Sequence, residues 1–235
     1  KFFGMMQDLN DDPASITQRE LVLGQAGSTS AQMRDATSFL NNQERLFNEQ
    51  LGLTVDSANT LIRSISSINE QLDFIPANAN SGERHTLLNE RDEKIRELSE
   101  LINISTLEDP NGRVRVNLAS GQGLVLEDGT FNLMALKGDP DPDRPELVAM
   151  IESGGKKISQ GVNELEVGGR IGGLLAYRAE VLEPSQMKMG QLALAFADSI
   201  NKQQQQGLDL DNELGQPMFT FNGSMVTGQP SSANQ

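Results

Sequence analysis

Apolar residues in the middle of the first half of the chain recur in steps of 4, 3, 4, 3, 4 and 3: Leu51, Val55, Ala58, Ile62, Ile65, Asn69, Leu72. That spacing predicts a helix with a heptad seam in which one position, Asn69, is polar. Asn69 either sets the register of a packed helix or faces water at a bundle edge. Upstream, Met33, Ala36, Phe39 and Leu40 keep the same 3–4 spacing. Ser15, two residues after Pro13, is the N-cap candidate for a helix beginning at Ile16. Gly24 and Gly27 weaken that helix by about 1 kcal/mol each relative to Ala without forcing a break. Gly52 is a candidate bend.

Pro76 ends this run, and residues 76–83 read as a turn-rich loop. A second helix is expected from about Thr86 to Ile102, with Leu88, Ile95, Leu98 and Ile102 on one face. Glu90–Lys94 and Asp92–Arg96 are spaced for i,i+4 ion pairs worth about 0.3 kcal/mol each. A long helix, a short loop and a second helix suggest an antiparallel hairpin. The seam therefore packs either inside the chain, against residues 88–102 or 192–200, or against a helix of a neighbouring subunit.

The period changes to two after Pro110. Asn111-Gly112 is a strong turn signal, and Val114, Val116 and Leu118 then alternate with polar residues. Further short strands are expected at residues 124–126, 131–136, 147–151, 157–159 and 164–167, a β unit of five or six strands, with a proline-rich loop over 139–145. The helical period returns near Gly173, with Leu174, Leu175, Arg178, Val181 and Leu182 on one face. Pro184 suits the first turn of a renewed helix, and Gly207 suits the position just past its end. The predicted fold is α+β and elongated: a helical-bundle or coiled-coil-like domain interrupted by a small antiparallel β domain. Its segments are 1–106 (long helices), 107–172 (β insertion), 173–207 (a returning helix) and 208–235 (the start of a further β segment).

Composition narrows the function. Aromatics are 4% of residues, with no Trp, so the core should be thin and aliphatic. The formal net charge is −14, from 33 acidic and 19 basic residues. Nucleic acid and anionic membrane surfaces would be repelled by such a chain. No apolar run is long enough to span a bilayer. The absence of Cys removes disulfides and thiol catalysis. His85, the only histidine, lies in a predicted polar loop, where solvation is expected and not general-base chemistry. Residues 168–173 do not fit a dinucleotide fingerprint in either register, because Arg170 and Ile171 fall where a glycine is needed. Their glycines are expected to give a sharp β-to-helix turn with close packing. Asp139, Asp141 and Asp143, and again Asp209, Asp211 and Glu213, alternate as calcium ligands do. An EF-hand needs further ligands at fixed spacing; Pro140 and Pro142 stiffen the first set against wrapping an ion, the second lacks Gly where one is required, and both read as solvated acidic loops. Met187 and Met189 are expected to fill gaps in a core. No catalytic, cofactor or metal site is expected.

One block nevertheless carries a pattern. Gly168, Gly169, Ile171, Gly172, Gly173, Leu174, Leu175, Arg178, Val181, Leu182 and Pro184 form a segment that resembles the flagellar hook-associated protein 1 family, the hook–filament junction proteins. Residues 192–207 and 208–219 resemble the family's next helix and tail. Residues 87–104 resemble a Leu-Leu, Arg-Asp helix of the same family, and residues 2–15 the start of its long helix. The resemblance implies a structural, extracellular component of the bacterial flagellum, built from a helical domain with β excursions and exported through the flagellar type III apparatus. It implies the hook protein, hook-associated protein 3 and copies of itself in a ring as partners. The family's terminal helices have no counterpart here, and the chain opens at Lys1 without an initiator Met. It reads as an internal segment, with an export chaperone acting through the missing C-terminal part. The residues alone leave one alternative: an acidic coiled-coil adaptor or surface adhesin module. The candidate site residues are thus the seam, as a helix-packing or subunit contact, and the turn of Gly168, Gly169, Gly172, Gly173 and Arg178.

Overall fold

The long apolar stripes become helices in the computed structural model, which describes residues 1–76, 82–138, 141–153, 156–208 and 213–220. In chain order the elements are α1 (Phe2–Asp11), α2 (Ile16–Asp73), α3 (Gly82–Leu101), β1 (Ile104–Glu108), β2 (Val114–Leu118), β3 (Gly123–Val125), β4 (Leu133–Lys137), β5 (Glu146–Ser153), β6 (Lys156–Gly161), α4 (Glu164–Val167), α5 (Gly169–Tyr177), a π-helical turn (Arg178–Leu182) and α6 (Glu183–Gln206). The fold is mostly helical, with two antiparallel three-stranded sheets ordered β1-β2-β3 and β4-β5-β6. The alternation predicts the strands, but it does not show that they split into two sheets. Residues 164–167, expected as a strand, are helical. Asn163 caps them by accepting the Leu165 N–H, and Glu164 and Glu166 suit the first turn of a helix.

Two compact units divide the chain, residues 1–42 with 182–235 and residues 43–181, so α2 contributes to both. Helix α2 runs 58 residues, continuous through Gly52. A glycine costs a helix stability but is free to take helical torsions, and only Leu136 approaches its missing Cβ, at 4.0 Å. Ser15 caps the helix as expected, its Oγ accepting the Gln18 N–H at 3.3 Å.

The core of the first unit adds aromatic rings to the aliphatic residues expected. Phe2, Val22, Ala26 and Ile200 are buried, with Met5, Met6, Leu9, Phe196, Met218 and Phe219 packed on them. Phe196 meets Phe2 at 5.5 Å and Phe219 at 5.4 Å, both edge to face, the geometry that the ring quadrupoles favour. A composition poor in aromatics hides this because three of the few there are converge here from distant parts of the sequence. Met187 is 64% exposed and fills no gap. Gly207 lies just past the end of α6, where it was expected, with extended torsions, φ −87° and ψ 162°.

In the second unit α2 turns a broad face inward, and three polar residues on it bond to strands and turns. Asn59 donates to the Met134 carbonyl and accepts the Met134 N–H, both at 2.8 Å. Asn69 treats Val114 the same way, at 2.8 and 3.1 Å. Ser66 donates to the Gly129 carbonyl at 2.8 Å. Asn69 is 2% exposed, so the edge-of-bundle reading is excluded; what it bonds is a strand.

The β1–β2 hairpin forms where Asn111-Gly112 predicts it, with Gly112 at φ +83°. Asp109 organises the turn: its carboxylate accepts the N–H groups of Asn111 and Arg113 and the Arg113 Nε–H. Burial pushes this carboxyl up, and those hydrogen bonds with the Arg113 charge more than reverse that, holding it below the ordinary carboxylate value. On α3 the ion pairs are not the expected ones. Arg96 pairs with Glu93 and Glu100, Lys94 with Glu97, and Asp92 with Arg91.

Two substitutions test this unit. Ile62, fully buried, changed to Asp places an unpaired charge in an apolar seam and is expected to cost about 4 kcal/mol or more, unfolding the unit in a thermal melt. Asn69→Leu leaves the Val114 N–H and C=O without partners, and a denaturant titration should show a loss of about 3 kcal/mol. By contrast Arg144→Ala, which removes a 3.8 Å surface pair with Glu44, should shift stability by no more than about 0.5 kcal/mol.

Candidate functional site

Every seam residue is buried within the chain: Leu51, Ala58, Ile62 and Ile65 are wholly inaccessible, and Val55, Asn69 and Leu72 are at most 3% exposed. At Asn69 its neighbour is β2. Away from the seam, Ser57, Thr60, Leu61 and Ser64 of α2 and Lys94, Glu97, Glu100 and Leu101 of α3 line a shallow groove of about 480 Å³. Hydroxyls and a Lys94–Glu97 pair at 3.0 Å share its lining with Leu61 and Leu101, a mixed surface and not the predominantly apolar one of a small-molecule pocket.

The glycine turn joins α4 to α5, and its two glycine pairs differ in physical role. Gly168 and Gly169 hold φ +58° and +57°, a region that side chains with a Cβ rarely adopt. A Cβ on Gly169 would lie 2.6 Å from the backbone of Leu101 and Ile102, and one on Gly168 would lie 2.8 Å from the Asn103 Cβ. The turn thus sits directly on the end of α3, and the Asn103 N–H donates to the Val167 carbonyl at 2.7 Å. Gly172 and Gly173 lie inside α5, and a Cβ there would meet Val167 at ordinary contact distance or nothing at all. Ile171 and Leu175, between and beyond them, are buried.

Arg178 ends α5 and is 7% exposed. Its guanidinium donates to the Pro145 carbonyl at 2.7 Å and to Glu164 at 2.8 Å, and lies 5.7 Å from the Phe47 ring centroid. One planar fork thereby ties together the start of α4, the residue before β5, and α2. The π-helical turn begins at the same residue. Pro184 explains it: proline has no N–H for the Glu180 carbonyl and its ring crowds that carbonyl, so the turn ahead widens before α6 starts.

Two buried arginines were not anticipated. Arg84 donates to the carbonyls of Ile75 and Asn111, and Arg91 to that of Gly112 and to Asp92 and Glu108. With Leu98 they form a stripe of three buried residues spaced seven apart on α3. The signal lay in the sequence: an Asn-Gly hairpin leaves turn carbonyls unpaired, and an arginine stripe at heptad spacing is suited to meet them. His85 belongs to the first turn of α3 and is exposed, not part of a loop. Asp141 accepts the Asp143 N–H at 3.0 Å in a local turn. Asp139, Asp209 and Asp211 lie outside the described residues; among those described, no group of three or more His, Cys, Asp or Glu is placed to hold a metal ion. No described helix is long and apolar enough to cross a membrane.

The division of labour among the glycines has a direct test. Gly169→Ala combines an unfavourable φ with a backbone clash and should cost about 3 kcal/mol. Gly173→Ala, in open helical space, should be neutral or stabilise by about 0.5 kcal/mol in the same denaturant titration.

Comparison with known proteins places these features in a family. A family profile described as the flagellar hook-associated protein FlgK helical domain matches residues 1–219. Flagellar hook-associated protein 1 of Salmonella typhimurium is 26% identical over 235 residues, all of this chain and 42% of that protein. The Escherichia coli protein of the same name is 27% identical over 220 residues, 94% of this chain and 40% of its own length. The solved structure of the flagellar hook junction protein FlgK from Burkholderia pseudomallei superposes with a TM-score of 0.82 at 27% identity, over 92% of this chain and 38% of that one. The chain therefore spans about two fifths of the length of these relatives. It belongs to the flagellar hook-associated protein FlgK helical domain family, which is structural and not enzymatic.

Proposed function

We propose that this chain is the helical-domain part of a hook-associated junction protein, a structural subunit joining hook to filament outside the cell. The observation that carries the reading is the match of the helical-domain family over residues 1–219, together with the shared fold of a hook junction protein. The geometry agrees with the role. Its buried polar side chains are spent on holding strands and turns against helices, and no described pocket has the lining of a small-molecule site.

Family membership implies flagellar partners in general. The finer reading names them as the hook protein on one side, hook-associated protein 3 on the other, and further copies of the subunit in a ring. Export runs through the flagellar type III apparatus, with a chaperone acting on a region beyond the stretch matched here. Contacts between acidic, largely polar subunits are individually weak, and their number around a ring supplies the avidity.

Immunogold electron microscopy of the source cells, with antibody raised against the chain, tests the assignment. Gold is expected only at the boundary between hook and filament. Label spread over the cell surface would instead favour an adhesin, and label confined to the cytoplasm would count against a flagellar role.

A further inference from the structure

Both sheets of the second unit end in an open strand. All six residues of β6, from Lys156 to Gly161, are exposed. Of β1, only Ile104 is partly covered. Pairing geometry shows which backbone groups each edge offers. The Val162 N–H donates to the Leu147 carbonyl, so on β6 the residues bonded to β5 are 156, 158 and 160. Lys157, Ser159 and Gly161 turn their N–H and C=O outward. On the other sheet the Asp109 N–H donates to the Arg113 carbonyl, which assigns Ser105 and Leu107 to β2 and leaves Ile104, Thr106 and Glu108 facing out.

The two edges are unlike and they match. β6 carries Lys156 and Lys157 and no acid, on a chain of net charge −14. β1 ends in Glu108 and runs into Asp109. Each edge also holds one conspicuous apolar residue, Ile158 at 54% and Leu107 at 56% exposure. Laid antiparallel with outward groups facing, the strands bring Lys157 opposite Glu108, Ile158 opposite Leu107, Ser159 opposite Thr106, Gln160 opposite Ser105 and Gly161 opposite Ile104, with Lys156 opposite Asp109 just past the strand. At Lys157–Glu108 charge meets opposite charge, at Ile158–Leu107 apolar meets apolar and at Ser159–Thr106 hydroxyl meets hydroxyl, the pairings that stabilise a ladder. Neither edge matches itself in this way: β6 against β6 with outward groups facing sets Lys157 opposite Gly161 and Ile158 opposite Gln160, and β1 against β1 sets Glu108 opposite Ile104.

We propose that the β6 edge of one copy of this chain accepts the β1 edge of the next, adding a strand to each sheet across the contact. The occupant is a second copy. Lysines on an edge guard against pairing with a like edge without barring an acidic one. Because the two surfaces differ, the contact is head-to-tail, the kind that generates a ring when its rotation closes. The inference rests on the junction reading only for why copies meet; the edge chemistry stands apart from it.

The absence of Cys makes the test free of background. Ser105→Cys in one preparation and Gln160→Cys in another put thiols at a directly opposed, non-hydrogen-bonded pair, where the Cα separation of about 4.5 Å admits a disulfide. Mixed at high concentration under a mild oxidant, they should yield the mixed dimer well above either like dimer, and the chain bearing both changes should yield a ladder of oligomers. Lys157→Glu in the Gln160→Cys chain should slow mixed cross-linking about fivefold, and Glu108→Lys in the facing chain should restore it. Mixed cross-linking no faster than with a remote Ser99→Cys control overturns the proposal. So does a predominance of like dimers. Either result leaves the junction assignment standing, since immunogold decides that separately.

Discussion

A strand can lie in a dry contact against a helix only if every backbone N–H and C=O turned toward that helix finds a partner, and this requirement shapes the second unit. Helix α2 meets it with side-chain carboxamides. Asn59 takes both backbone groups of Met134 in β4, and Asn69 both groups of Val114 in β2. Each carboxamide presents a donor and an acceptor as a neighbouring strand would, so the helix completes an edge that water cannot reach. The device recurs in the first unit, where Asn201 of α6 pairs with both groups of Phe219. A buried carboxamide satisfied in this way also fixes position: a slide of one turn along α2 would leave the carboxamide and the strand groups all unpaired in a place of low dielectric.

The arginines extend the same logic to turns. Arg84 and Arg91 reach the carbonyls of the β1–β2 hairpin, and Arg178 reaches Pro145 while holding Glu164. In each case a planar cation satisfies a carbonyl that its own turn leaves open. The glycine pair at 168 and 169 permits the remaining joint, a backbone-on-backbone approach to the end of α3 that any Cβ would prevent. Side chains that elsewhere would line an active site are here committed to connecting elements.

Much of this was legible along the chain. Heptad spacing located the buried face of α2, because a helix that packs on a core must repeat its apolar positions at close to 3.6 residues. Ser15, Asn111-Gly112 and Pro184 marked a cap, a hairpin and a helix start, each through a local stereochemical preference that acts within a few residues. The glycine and arginine pattern of 168–178 pointed to the family. Other features were not legible. Residues 164–167 alternate as a strand does, yet a single capping Asn makes them a helix. The four residues bonded by Asn59, Ser66, Asn69 and Asn201 lie between 18 and 75 positions away.

The sequence by itself determined the local geometry, the buried stripes and the family, since these follow from torsional preference, periodicity and ordered motifs. Only the tertiary structure decided what the seam packs on, that the strands form two sheets, that three phenylalanines meet in one core, and which edges stay open. Those outcomes depend on pairs of residues far apart in the chain. A backbone amide of any residue type serves equally well as the partner of a carboxamide, so the identity of that partner leaves no mark in the sequence.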